Sequence, residues 1–250
     1  MRYDDNTRVR DREMNRPAID LELDEIKSIS TLVADRLSDL IQRGALKPGE
    51  HLVQGELAEQ FGVSRVAIRD ALYVLKQRGL AIDVPRKGTI VRPISCKTVR
   101  DLFAVRRAVE GLAGREACRV ISDETLDRLE RIIEEQESLA QGDDLTPVLD
   151  KDWEWHQLIY MQCNNEPLQE AIAALWSRTK QARSLARDQV DWGKVWGTHS
   201  AARHREILAA LRERNPDKVE RLIAQTIAVA EEELVQGLRD AGWGEDRAGS

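Results

Sequence analysis

Apolar positions recur at helical spacing along most of this chain. Between residues 26 and 42, Ile26, Ile29, Val33, Leu37, Leu40 and Ile41 share one helical face, and Gly44 stands where such a helix would end. Leu46-Lys47-Pro48-Gly49 carries turn chemistry, because proline fixes φ and glycine accepts a positive value at the next position. A short helix is predicted over 55–61, with Leu57, Ala58 and Phe61 facing inward and Gly62 as its stop. Ser64 can cap the next one, whose run over 66–77 carries Ala67, Ala71, Leu72, Val74 and Leu75 before Gly79. The period then shortens: Leu80-Ala81-Ile82-Asp83-Val84 and Thr89-Ile90-Val91 flank Pro85-Arg86-Lys87-Gly88, the pattern of a β-hairpin. Beyond Ile94 the β signals stop. Helical spacing returns over 97–119, 123–141, 147–163, 166–187, 198–213 and 216–238, broken at Ser122, Gly142-Asp143-Asp144, Asn164-Asn165, Asp191-Trp192-Gly193 and Asn215-Pro216.

Three helices followed by a hairpin form a winged helix-turn-helix, and six helices on short connections form an antiparallel bundle. The fold class predicted is therefore mostly α, with the winged unit over 24–93, the six-helix bundle over 97–240, and a flexible tail over 1–23 too polar to bury a core. Aromatic residues make up only 4% of the chain, which leans away from an all-β sandwich. No apolar run approaches the roughly 20 residues a bilayer demands, and the charged start of the chain has no signal-like apolar segment. The expectation is a cytoplasmic protein with no membrane partner. Cys96, Cys118 and Cys163 are odd in number and form no CxxC pair, so they read as reduced thiols.

The net charge of −6 conceals an asymmetry. Between Gly62 and Arg92 seven basic residues face Asp70 and Asp83, a local +5 that leaves −11 on the remainder of the chain. A basic module on an acidic chain fits a nucleic-acid reader joined to a domain of other purpose.

The residues Gly44 to Glu50, Glu56-Leu57-Ala58, Phe61-Gly62-Val63-Ser64-Arg65, Ile68-Arg69-Asp70-Ala71-Leu72, Leu75, Gly79-Leu80 and Arg86 to Val91 together closely resemble the winged helix of the GntR superfamily of transcription regulators. A recognition helix turns its first residues to base edges in the major groove, and Arg65 and Arg69, four apart, project from one face. Both can fork onto guanine or phosphate. The resemblance implies DNA contact by Ser64, Arg65, Val66, Ala67 and Arg69 at the start of that helix, and by Arg86, Lys87 and Gly88 at the hairpin tip, with Lys47 and Gln54 as weaker backbone contacts. An arginine there can equally pair with Asp70 or Glu56 on a solvated face.

The stretch Asp101 to Ala113 resembles the opening helix of the FCD ligand domain in the FadR subfamily of GntR regulators. Asp152-Trp153-Glu154-Trp155-His156, Asn165 and His204-Arg205-Glu206-Ile207-Leu208 extend that likeness. The family implies a divalent, zinc-like metal held by an aspartate and histidines. Asp152 and His156, at i and i+4, lie about 40° apart on a helix and can share an ion. His204 is the implied third ligand, whereas the fourth family histidine falls on Thr226, whose hydroxyl is a poor ligand for such an ion. His199 lies about 140° from His204 around a helix and does not join it. An Asp and a His at this spacing can also simply hydrogen-bond across one turn.

Arg106 stands in the family's Val-Arg-x-x-x-Glu element, where an arginine grips a ligand carboxylate. Trp155 and Asn165 join it as implied effector contacts, though an ion pair between Arg106 and Glu110 is equally allowed by helix geometry. Trp153 and Trp155 flank Glu154, so at most one of them faces a pocket. The function expected is a homodimeric, non-enzymatic regulator that binds a palindromic operator on double-stranded DNA under control of a small carboxylate metabolite. The alternative is a metal-dependent hydrolase using Asp152, His156 and His204, disfavoured because HExxH, GxSxG and P-loop motifs are missing.

Overall fold

A computed structural model describes residues 28–142, 146–186 and 192–244, with only the backbone course given for 192–198. The expected tail over 1–23, Asp143 and Asp144, and the side chains of Trp192 and Trp196 lie outside the described residues. Among these residues the chain runs α1 (Ile29–Gln42), α2 (Gln54–Phe61), α3 (Arg65–Gln77), β1 (Ala81–Val84), β2 (Gly88–Val91), α4 (Cys96–Cys118), α5 (Asp123–Leu139), α6 (Thr146–Tyr160), α7 (Glu166–Ala186), α8 (Trp192–Arg212) and α9 (Pro216–Asp240). The fold is mostly helical, with a winged helix-turn-helix at one end and a helical domain at the other.

Three buried strips from α1, α2 and α3 meet in the first core, where Leu37, Ile41, Ile68, Leu72 and Leu75 are fully enclosed. α2 stops because Gly62 adopts the left-handed conformation (φ 64°) that closes its last turn. The hairpin pairs Ala81 with Val91 and Val84 with Gly88, antiparallel. Arg86 in its turn has φ 66°, a left-handed value carried by a residue with a Cβ, beside Gly88 at φ 82°.

The second core runs from Ile94 to Leu238 and is built by α4 to α9. α4 lies directly against α9, and Gly114 permits the approach, since a Cβ there would collide with Ile223. Serines at 28, 64, 95 and 122 cap α1, α3, α4 and α5. Two boundaries differ most from the periodicity. α6 ends at Tyr160 and its last predicted residues tighten into a 3-10 turn, Met161–Cys163, before Asn164 at φ 50°. α8 begins at Trp192, six residues before the predicted start, so the supposed break at Trp192-Gly193 is helical. Glycine lowers helix propensity without forbidding a helix that tertiary packing supports.

Candidate metal centre and nucleic-acid interface

At the winged end, Ser64 accepts the Ala67 N–H at 3.2 Å and fixes where α3 begins. The helix buries Ile68, Ala71, Leu72 and Leu75, which turns Ser64, Arg65, Val66 and Arg69 to solvent and leaves Ala67 half-buried. Val66 is 56% exposed. The Arg65 guanidinium lies over Gly55 of α2, so the absence of a side chain there shapes its seat. Among the described residues Arg69 makes only a long 3.4 Å contact with Asp70, between two exposed groups.

The base of the wing is braced differently. Asp83 accepts hydrogen bonds from Lys76 at 2.7 Å and from Thr89 Oγ1 at 2.7 Å, and the Lys76 bond holds its carboxyl below the usual range. Arg86, Lys87 and Gly88 stand exposed at the tip, with His51 Nδ1 3.0 Å from the Lys87 carbonyl. Lys47 and Gln54 are exposed as well. The structure thus brings the sequence-predicted DNA residues other than the half-buried Ala67 to the surface of one small domain.

The bundle interior is the opposite case. Asp152 and His156 from α6 and His204 from α8 are 2%, 4% and 0% exposed. Asp152 Oδ1 lies 3.4 Å from His204 Nε2 and 3.9 Å from His156 Nε2, and the two Nε2 atoms are 3.3 Å apart. Three atoms at these separations surround a point about 2.1 Å from each, the usual length of a zinc–nitrogen or zinc–oxygen bond.

The outer partners decide which ring nitrogens carry protons. His204 Nδ1 lies 3.0 Å from Gln136 Oε1, which can only accept, so Nδ1 donates. Tyr160 gives its single proton to Glu110 Oε2 at 2.8 Å, so its oxygen accepts from His156 Nδ1 at 3.0 Å. Both Nε2 atoms therefore present lone pairs toward each other and toward Asp152 Oδ1. Three converging lone pairs without a hydrogen among them repel, and a cation at their centre removes the conflict. On this ground the donor set, one carboxylate and two neutral imidazoles with oriented outer partners, fits a divalent ion.

Burial lowers the proton affinity of both histidines, that of His156 most strongly, and keeps them neutral. Burial alone would raise the Asp152 carboxyl, yet the Arg183 guanidinium beside it holds it well below the usual carboxylate range. Burial together with Glu110 raises the Tyr160 hydroxyl, which stays protonated. Thr226, at the position of the fourth family histidine, is half-buried on α9. His199 is exposed beside Glu233 and takes no part.

Arg106 is 2% exposed, donating to Glu110 through Nε at 2.5 Å and Nη2 at 3.2 Å and to Thr179 Oγ1 at 3.4 Å. The i, i+4 pair foreseen as an alternative is formed. Phe103 and Trp176 rings lie against the guanidinium at 4.6 and 4.2 Å. Trp155 is fully buried and stacks on His204 at 3.9 Å, whereas Trp153 is partly buried against Trp176. Asn165 is not part of this cluster. It is exposed, and its Oδ1 accepts the Leu168 N–H at 3.1 Å, capping α7.

Sequence reasoning missed four residues that complete the site: Gln136, Tyr160, Ser200 and Arg183. Ser200 donates to Asp152 Oδ1 at 2.9 Å, and Arg183 binds Asp152 Oδ2 at 2.9 Å while 4% exposed. Tyr160 and Ser200 each stand four residues from a predicted ligand histidine, a signal that helical spacing offered. Arg183 had none. Its helix, α7, also faces the winged domain: Gln181 donates to the Arg92 carbonyl at 3.2 Å, Ser184 closes on Gly44, and Arg178 on Gly79. A cavity of about 120 Å³ between α1, α6 and α7 has Gln42, Arg43, Asp150, Lys180 and Arg183 in its wall.

A winged DNA-reading unit joined to a helical domain with a buried Asp-His-His cluster defines a class of two-domain transcription regulators. Residues 101–229, more than half of the chain, match the FCD domain, and residues 29–91 match the bacterial regulatory proteins of the gntR family. The protein belongs to the GntR family and is a transcriptional regulator with an FCD domain. It is 27% identical over 191 residues to the HTH-type transcriptional repressor RspR of Escherichia coli, covering 76% of this chain and 82% of that one. It is also 27% identical over 198 residues to the Nta operon transcriptional regulator of Aminobacter aminovorans, covering 78% and 89%. The solved structure of E. coli McbR/YncC superposes with a TM-score of 0.73 at 22% identity, covering 84% of this chain and 99% of that one, a likeness of fold. The matched families and relatives are regulators and not enzymes, so the hydrolytic alternative is set aside. Among the described residues no helix is long and apolar enough to cross a membrane.

Proposed function

We propose that this protein is a homodimeric regulator whose affinity for a palindromic operator is set by a small carboxylate-bearing metabolite, bound with a divalent zinc-like ion in the helical domain. The observation that carries this reading is the convergence of Asp152 Oδ1, His156 Nε2 and His204 Nε2, with each Nδ1 already donating elsewhere. Those three side chains would hold the ion, which supplies a Lewis-acidic contact for a ligand oxygen. Trp155 and Arg106 border the same interior, and Thr226 leaves the fourth position to solvent or ligand.

On DNA, Arg65 and Arg69 read base edges, Val66 and Ala67 meet thymine methyl groups, Ser64 orients the helix start, and Arg86, Lys87 and Gly88 follow the backbone beside the wing. A run of exposed small and apolar residues on α4, Ala104, Val105, Ala108 and Leu112, supports pairing of two helical domains. A twofold dimer demands paired half-sites. Control of the operator is supported by α7, which carries Arg183 and Thr179 toward the buried cluster and Gln181 and Ser184 toward the winged domain.

Elemental analysis tests the metal: one divalent ion per chain is expected in the wild type after reconstitution, and none in His156→Ala. Metal absent from both proteins retires the coordination reading. Footprinting on DNA upstream of the gene is expected to protect an inverted repeat, and protection of a single half-site would overturn the dimeric reading.

A further inference from the structure

At the junction of the two domains, two arginines meet without a carboxylate. Arg92 follows β2 on the way to α4, and its Nε donates to the Gly79 carbonyl at 2.6 Å. Arg178 comes from α7, and its stem lies so near that a Cβ on Gly79 would stand 3.1 Å from Arg178 Cδ. Gly79 follows the cap of α3 at φ 72°, so both side chains converge where the chain turns from the reading helix into the wing. Both arginines are half-buried, and among the described residues neither forms an ion pair. Arg78, Arg107 and Arg203 are half-buried too, and each binds a carboxylate. Loss of water lowers the proton affinity of Arg92 and of Arg178, and the charge of Arg92 lowers that of Arg178 further.

We propose that Arg92 and Arg178 form a binding site for a free phosphate dianion, which ties α7 to the end of α3. Two cations call for close to two negative charges, and a phosphate group carries about −1.5 to −2 near pH 7. A planar guanidinium donates parallel hydrogen bonds to its oxygens, and Arg92 commits only Nε to Gly79, leaving both Nη groups for the ligand. A second observation separates phosphate from a carboxylate. Gln181, one turn along α7 from Arg178, donates through Nε2 to the Arg92 carbonyl at 3.2 Å, while its Oε1 is buried without a donor. Monohydrogen phosphate has a proton to give such an acceptor, and an ionised carboxylate has none. The operator's own phosphates are the other source of this chemistry. The site lies beyond the far end of α3 from Arg65, about 20 Å along a helix of 13 residues, and Arg178 belongs to the helical domain. Both facts favour a free anion.

The test is calorimetric titration of the metal-free full chain with inorganic phosphate at pH 7.5, with ionic strength held constant by chloride. The wild type is expected to bind one phosphate per chain, and Arg92→Gln and Arg178→Gln should each weaken binding about tenfold or more. Arg178→Met, which keeps a stem against Gly79, should do the same and serves if the glutamine variant does not fold. Arg65→Ala should leave phosphate affinity unchanged. Phosphate should also raise the thermal midpoint of the wild type above its value in chloride, a rise that the Arg178 variants lose. No binding by the wild type would overturn the proposal, as would equal binding by the Arg92 and Arg178 variants. No binding by the wild type, joined to a shallower salt dependence of operator binding in Arg178→Gln, would assign the pair to the DNA backbone instead. Because no metal is present, none of these outcomes depends on the Asp-His-His centre.

Discussion

The two ends of this molecule each present a pair of arginines and use them in opposite ways. Arg65 and Arg69 project from α3 into solvent, and among the described residues the one partner that Arg69 makes, Asp70, is 3.4 Å away and itself exposed. Arg106 and Arg183 are buried to within a few per cent, and each is matched by a carboxylate of its own chain. An exposed guanidinium keeps its hydrogen-bonding fork for an outside partner and interacts weakly with its neighbours in high dielectric. A buried one has its charge settled during folding, so what it contributes later is an arrangement of charge into which a ligand must fit. Removing a charge at the winged end should therefore cost DNA binding and spare the fold, and removing one in the bundle should cost the fold first of all.

The largest effect is expected from Asp152→Ala, which leaves Arg183 buried without a counter-charge. Loss of one partner of such a pair destabilises by about 3–5 kcal/mol. Asp70→Ala, which breaks an exposed contact at the winged end, should change stability by about 0–1 kcal/mol. Urea denaturation of the metal-free proteins compares them, and similar midpoints for both would break the contrast.

Acid should sharpen it. His156 and His204 are held below their ordinary pKa of 6.5 in the fold, so below pH 6.5 the unfolded chain binds more protons than the folded one. Stability that is complete above pH 6.5 is then lost as pH falls, at a slope approaching about 1.4 kcal/mol per pH unit for each histidine. Asp152 adds to the loss at lower pH, because its depressed carboxyl favours the folded state only above the ordinary value of 3.8. Metal-free protein should lose stability between pH 7.5 and 5.5. Replacing both histidines by glutamine should flatten that profile, and an unchanged slope would show that other groups set it.

Arg65→Ala should lose about 1–3 kcal/mol of specific operator affinity with an unchanged thermal midpoint. Retained affinity would remove α3 as the reading helix. The salt dependence of binding should also become shallower if Arg65 contacts phosphate and stay the same if it contacts a base.

The same division decides how much was legible beforehand. At the winged end, caps, turns and exposed charges are local features, and Ser64, Gly62, Gly79 and the hairpin turn mark the elements directly. The buried cluster was legible where spacing on one helix encodes it, as for Asp152 and His156, and the family resemblance supplied His204. Arg183 was invisible because it is one of many basic residues in a chain with 38, and nothing along α7 says that this one turns inward. Its partner lies on another helix, 31 residues away. Glu110 was visible as the i+4 neighbour of Arg106, but its hydrogen bond from Tyr160, which orients His156, crosses from α4 to α6. The early start of α8 was missed because Gly193 was read as a breaker, whereas glycine lowers helix propensity without forbidding a helix.

Asn165 offers the finest test of the comparison, because family likeness assigned it to the effector while geometry makes it a helix cap. Its Oδ1 accepts the Leu168 N–H at 3.1 Å and its backbone carbonyl accepts from Gln169 at 3.0 Å, the pattern of a residue that begins α7. Asn165→Ala should lower stability by about 1 kcal/mol, and Asn165→Asp, which preserves the acceptor and adds negative charge at a helix N-terminus, should recover most of the loss. Zinc affinity should not move in either variant, because Asn165 is exposed and separated from the buried cluster by the 3-10 turn and the first turns of α7. A drop in that affinity at unchanged stability would return Asn165 to the ligand site. Since α7 also carries Arg183, it would further show that the start of the helix governs the charge placed near its end.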